Sequence, residues 1–365
     1  MKWVPFAMER WQSTWEHRVD HNLSESGVEP LGLDDLLGEA DLRDVLKTPM
    51  TYAETQGAEP LREVVAGFYP DCDPENVLLT TGTSEANFLT ALATAERGAP
   101  FVAVLPNYMQ VWGVARSLGA SMVELGLRED LAWQLDPEEI RRALAGGPTA
   151  VALSNPNNPT GACLEGDGVS ALLDGAEDAG SWVLSDEVYR GAERVGGPVE
   201  TLWGRSDRVV VTSGLSKAFG LPGLRLGWVV GPEDFVEELW GLHDYTTIAI
   251  SRLTEALAAR VLPDGWERLH ERARSLIRDN FPLLEAFVER NDLHWVPPRA
   301  GAIAFVRYPW DRPSEDLAER ARHHGVLVVP GAHFHREGYL RLGYGMEPSA
   351  LEAGLAGLEE VFPGP

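Results

Sequence analysis

The sequence predicts an α/β fold: a mainly parallel central sheet flanked by helices, with a smaller α+β lobe after it. Three observations predict this. The chain has 365 residues, 44% of them hydrophobic, which suits a sizeable buried core. From about Asn76, short apolar runs alternate with longer amphipathic stretches, as strands spaced by helices do. After about Tyr245 the pattern changes to long helical stretches and then short strands.

Taken in order, the first forty or so residues have no clear place in the central sheet and are expected to pack with the later lobe. NVLLT (76–80), FVAVL (101–105), TAVALS (149–154), WVLSD (182–186), RVVVTS (208–213) and LGWVV (226–230) read as buried strands. Between them EANFLTALATAE, MQVWGVARSLGA, PEEIRRALAGG and GVSALLDGAEDAG carry helical periodicity. SRLTEALAARVL and ARSLIRDNFPLLEAFVERN continue as helix, and LHWVP, AIAFVRY, VLVVP and YLRLGY read as short strands. The expected division is an N-terminal arm over 1–44, a large domain over 45–244 and a small C-terminal domain over 245–365.

Charge and composition exclude several functions. A formal net charge of −25 argues against nucleic-acid and anionic-membrane partners. No apolar run is long enough to span a bilayer, and the N-terminus reaches Glu9 and Arg10 before any signal-peptide core forms. The expected compartment is therefore the cytoplasm. Cys72 and Cys163 lie far apart without metal-ligand spacing, so idle thiols are expected rather than a disulfide. Lysine is rare: Lys2, Lys47 and Lys217 are the only three.

In an open α/β sheet, ligands gather beyond the carboxyl ends of the strands. Four polar motifs fall there: TTGTSEA, SNPNNPTG, SDEVYRG and SGLSK. In SGLSKAFGLPGLRLGW, Lys217 and Arg225 offer an amine and a guanidinium to one ligand; the competing reading is a surface lysine in a glycine-rich turn. A nucleophile elbow fails because Ala218 stands where the second glycine is needed. Asp186 can pair with a protonated ring nitrogen and Tyr189 can reach a ring oxygen, although a strand-end acidic pair is commonplace. Asn158 offers an amide in a loop that is otherwise a tight turn. The amides of TTGTSEA suit a phosphate at a helix start, or an ordinary helix cap.

Together these segments resemble the fold-type I pyridoxal-phosphate enzymes, specifically the class I/II aminotransferases, in matching order from about Tyr52 to Arg341. The resemblance implies pyridoxal 5′-phosphate bound as a Schiff base on Lys217, with Arg225 completing the SK-x7-R signature. It implies Asp186 at the pyridinium nitrogen, and Tyr189 and Asn158 at the phenolate oxygen. Gly82, Thr83 and Ser84 fall at the phosphate, and Tyr108 falls where a ring stacks on the cofactor. Tyr52 matches a tyrosine that reaches the neighbouring phosphate across a homodimer. Arg341 matches the arginine that grips the substrate carboxylate. Many relatives carry serine or threonine where Gly214 stands, so Ser213 or Ser216 is expected to supply that hydroxyl.

The implied chemistry starts from an external aldimine of an L-amino acid, with Lys217 moving the α-proton. Amino-group transfer to a 2-oxo acid is the expected outcome. The stretch ERWQSTWEHRVDHNLSESGVEPLGLDDLL, with LPNYMQVWG, resembles a capreomycidine-synthase-like subgroup. That resemblance offers β-elimination or replacement, or cyclisation of a hydroxyarginine-like amino acid, as the alternative. It also places Ser26 and Gly27 over the substrate, unless the segment only docks on a partner subunit. His323, His324, His333 and His335 are expected to belong to an entrance loop, with no metal site. Dehydrogenase and P-loop motifs are missing from the chain. A non-catalytic, cofactor-binding regulator is the remaining rival, and the motifs begin too early for an added DNA-binding domain.

Overall fold

The apolar runs come together as one seven-stranded sheet. Across it stand Val77–Thr80, Gly227–Val230, Val209–Gly214, Trp182–Asp186, Ala150–Ser154, Pro100–Leu105 and Ser121–Gly126. Gly227–Val230 runs antiparallel to both neighbours, and the other pairs are parallel. The computed structural model describes residues 2–362. Alternate residues of each strand serve opposite faces: Val77, Leu79, Val209 and Val211 enter one buried cluster, while Leu78, Val210 and Val229 enter another. Both faces are covered, which is why these strands read as continuous apolar runs. Ser121–Gly126 was not among the expected strands. It is one of the two sheet edges and, unlike Val77–Thr80 at the other, is mostly exposed or half-buried, and so lacks such a run.

A second, antiparallel sheet orders Val329–Pro330, Tyr339–Gly343, Ile303–Arg307 and His294–Trp295. The long helix Gly265–Arg290 turns Ala273, Ile277, Leu284 and Phe287 into a cluster with Val326, Leu340 and Leu351. The N-terminal helix Ala7–Trp15 is tied to this side, since Trp11 Nε1 donates to the Val328 carbonyl at 2.8 Å. His21–Asn22 then pairs in parallel with Val326–Leu327. Met8, Leu37 and Val45 pack instead into the cluster of the seven-stranded sheet. Residues 2–45 thus bridge two packed bodies, and the cavity below lies along that bridge. Among the described residues, no helix is long and apolar enough to cross a membrane.

Candidate active site

Three strands deliver the central groups. Lys217 follows Val209–Gly214 in a turn closed by Leu215 N–H to the Leu226 carbonyl (2.9 Å) and Leu221 N–H to the Leu215 carbonyl (2.8 Å). Asp186 ends its strand, and Asn158 lies in the loop after Ala150–Ser154. They meet at a cavity of about 250 Å³, also lined by Ser26, Thr83, Ser84, Tyr108, Tyr189, Ser216 and Arg225. Convergence of four sequence-distant loops on one sheet edge is what the motif positions called for.

Asp186 is oriented from two sides. Asn87 Nδ2 donates to one carboxylate oxygen at 2.8 Å and the Val188 amide to the other at 3.1 Å. Thr212 in turn donates to Asn87 Oδ1 at 2.6 Å, fixing the amide. Burial pushes the Asp186 carboxyl up, opposed by those bonds and by the charge of Lys217. A proton or a cationic ring nitrogen placed there satisfies it. Asn87 escaped the sequence reading, though its place one turn after Thr83 on the same helix was a usable signal.

The helix Thr83–Thr94 starts beside Arg225. A side chain at Gly82 would press on the Arg225 guanidinium, and Gly82 adopts φ 79°, a backbone conformation that favours glycine. The Thr83 hydroxyl is buried and has no hydrogen-bond partner. A Cβ on Gly214 would lie 2.5 Å from that hydroxyl. The space left by the missing side chain at 214 is therefore taken by Thr83. Ser216 lines the cavity and accepts from Arg225 at 3.3 Å, whereas Ser213 turns away and donates to the Glu187 carbonyl at 3.3 Å. An unpaired buried hydroxyl, free helix amides and a guanidinium form a cradle that fits a phosphate.

Arg341 is fully buried behind the lining residue Asn158. It donates to Asn158 Oδ1 at 3.1 Å and to the Ser24 carbonyl, while its Nε has no partner. Burial works against its charge. Tyr108 donates to Glu9 at 2.7 Å and packs edge-on against Phe6. Tyr189 is buried, and burial pushes its phenol up. Gly27 packs on the lysine turn, 3.2 Å from the Ser216 carbonyl measured from an added Cβ. Tyr52 does not reach this cavity: it is 84% exposed. His323, His324, His333 and His335 each lie beside a different glutamate.

The sequence reading missed the acidic wall. Met8, Glu9, Gln12 and Glu16 line the cavity from one face of the N-terminal segment, and Glu25 lines it beside Lys217. Spacings of three and four residues in MERWQSTWE were the available signal.

The aminotransferase class I and II family matches residues 41–358. The chain belongs to that family. Capreomycidine synthase of Streptomyces vinaceus is 32% identical over 97% of this chain and 92% of its own length. A PLP-dependent aminotransferase from Streptococcus suis superposes with a TM-score of 0.92 at 29% identity, covering 99% of this chain and 98% of that one. The PLP-dependent cyclase OrfR superposes at 0.87 with 28% identity, covering 99% and 97%. The fold is that of fold-type I enzymes, and the cofactor is pyridoxal 5′-phosphate. The residues present fit it: the orphaned Thr83 hydroxyl, the Gly82–Arg225 cradle and the buried Asp186 carboxyl each answer one of its polar groups.

Proposed function

We propose that the protein transfers the amino group of an L-amino acid to a 2-oxo acid, with Lys217 as the residue that carries the cofactor and moves the proton. The meeting of Lys217 and Asp186 at one cavity, with Arg341 bonded to the lining residue Asn158, carries this reading. Pyridoxal phosphate supplies an electron sink for the pair left at the substrate α-carbon. Asp186 holds a proton at the ring nitrogen and so keeps the ring electron-withdrawing. Thr83, Ser84, Ser216 and Arg225 bind the phosphate. Asn158, whose carbonyl oxygen is engaged by Arg341, has its NH₂ left to donate to the ring oxygen alongside Tyr189. Arg341 orients the substrate carboxylate, and Lys217 shuttles the proton between the α-carbon and the cofactor carbon.

A second reading has a specific observation behind it. Glu9, Glu16 and Glu25 line the cavity, and Arg225 is the only arginine among the described lining residues. That wall suits a substrate with a cationic side chain better than a dicarboxylic one. The alternative chemistry is loss of a β-substituent and ring closure by a guanidino nitrogen, and the likeness to capreomycidine synthase and to the PLP-dependent cyclase OrfR supports it. We further propose a cytoplasmic homodimer; both cysteines are free thiols, as a reducing compartment keeps them.

The purified protein is expected to be yellow, and Lys217→Ala to abolish that absorbance. A wild type that stays colourless with added cofactor sinks the reading. Amino acids, arginine and hydroxyarginine included, are then screened by absorbance and product. Release of a 2-oxo acid marks transfer; a product that keeps its nitrogen and loses water marks the second reading.

A further inference from the structure

Glu25 has no part in the amino-transfer steps above, yet it touches the central lysine. Its Oε1 accepts from Lys217 Nζ at 2.7 Å and from the amides of Ser26 and Gly27 at 2.8 Å each. The two amides belong to the next two residues, so the carboxylate closes a tight local loop and its position is fixed by its own backbone. Gly27 lets that loop lie against the lysine turn: an added Cβ there would stand 3.3 Å from Glu25 Oε1 and 3.5 Å from Lys217 Cδ.

Burial pushes the Glu25 carboxyl up, but the charge and hydrogen bond of Lys217 and the two amides outweigh it and hold it at about 2. Glu25 is thus an anion at any working pH. Three other charged or titratable groups face Lys217. Arg341 opposes its charge, Tyr189 stays a neutral phenol through burial, and Asp186 acts across the cavity. Burial alone lowers the lysine; the charge and hydrogen bond of Glu25 reverse the sign.

We propose that Glu25 is a positioning residue that keeps a proton on the Lys217 nitrogen, both in the free lysine and while that nitrogen is joined to the cofactor. This rests on the reading of Lys217 as the cofactor-bearing lysine. The proton stays on nitrogen and no bond to Glu25 forms. The consequence is a trade: the linked nitrogen remains protonated, and open to attack by an incoming amine, to higher pH. The free lysine, in turn, is less often the neutral amine that captures cofactor.

Glu25→Gln isolates the charge, because the amide oxygen can still accept from Ser26 and Gly27. The visible absorbance of the cofactor-loaded enzyme is titrated with pH for wild type, Glu25→Gln and Glu25→Asp. The wild-type transition is expected about one pH unit or more above that of the Gln variant, with Asp between them. In stopped flow at neutral pH, cofactor-free Glu25→Gln should capture pyridoxal phosphate roughly threefold or more faster than wild type, the rates converging at high pH. If Gln does not fold, the Asp variant must still move the transition downward. A merely structural Glu25 would leave both readouts where they were. A yellow wild type whose titration and capture rate ignore Glu25 overturns this inference alone, whereas a colourless wild type overturns the reading of Lys217 with it.

Discussion

At residue scale, Gly214 and Thr83 form one decision. An added side chain at 214 would meet the Thr83 hydroxyl at 2.5 Å, the Leu226 carbonyl at 2.8 Å and Gly227 Cα at 3.0 Å. Two of these are backbone, so they cannot swing away. Gly214→Ser is expected to cost about 1–3 kcal/mol of stability through overpacking and to weaken cofactor retention. Thr83→Ala in the same chain should return only part of that loss, since the backbone contacts remain. Denaturation of the single and double variants measures both, and a Gly214→Ser protein as stable as wild type refutes the steric argument. In this chain the Thr83 hydroxyl reaches the cradle from the side opposite Gly214.

At the scale of elements, the start of helix Thr83–Thr94 is latched by Glu85. Its carboxylate accepts from Thr246 at 2.5 Å, from Thr247 at 2.8 Å and from the Thr81 amide at 2.6 Å, and His243 lies 3.4 Å away. Burial pushes the carboxyl up, but those four partners outweigh it and bring it to about 2 from an ordinary 4.5. A folded pKa below the unfolded one gives stability that is fully present above pH 4.5 and is lost as pH falls towards 2. Glu85→Gln should therefore lose about 2–3 kcal/mol at neutral pH. Urea denaturation should show the gap to wild type closing between pH 4.5 and 2; a gap that stays constant contradicts the latch. This latch was invisible in the sequence because Glu85 and His243 are 158 residues apart with no shared motif. Legibility followed the same physical line elsewhere. Strands buried on both faces, such as Val209–Gly214, announce themselves as apolar runs, and the edge strand Ser121–Gly126 does not. Lys217, Asp186 and Asn158 sit in local motifs at strand ends and could be read. Glu9 and Glu25 act through an arm folded back over the sheet, and only the tertiary structure says which way its side chains face.

At the scale of the whole molecule, several large apolar side chains stand out into solvent. Leu46 and Tyr52 are each 84% exposed, Met50 78% and Tyr245 88%. They lie on segments bonded to one another: His243 Nδ1 contacts the Thr55 carbonyl at 3.1 Å, and Trp240 donates to Thr55 at 2.9 Å. The same region joins the phosphate cradle, through Thr81 and Thr247 at 3.1 Å. A second copy seated there by a two-fold axis would cover the apolar side chains and bring its own Tyr52 to this cradle. Mixing two damaged proteins separates this arrangement from a tyrosine that serves its own chain. Lys217→Ala and Tyr52→Ala are each expected to be nearly inactive at limiting cofactor. Unfolded together and refolded, half of the dimers carry one of each chain, and in these one site keeps both the lysine and the tyrosine. Activity should then return to roughly a quarter of wild type, since half the dimers regain half their sites. A tyrosine acting within its own chain puts one lesion in every site of the mixed dimer, and the mixture would then show no more than the average of its parents.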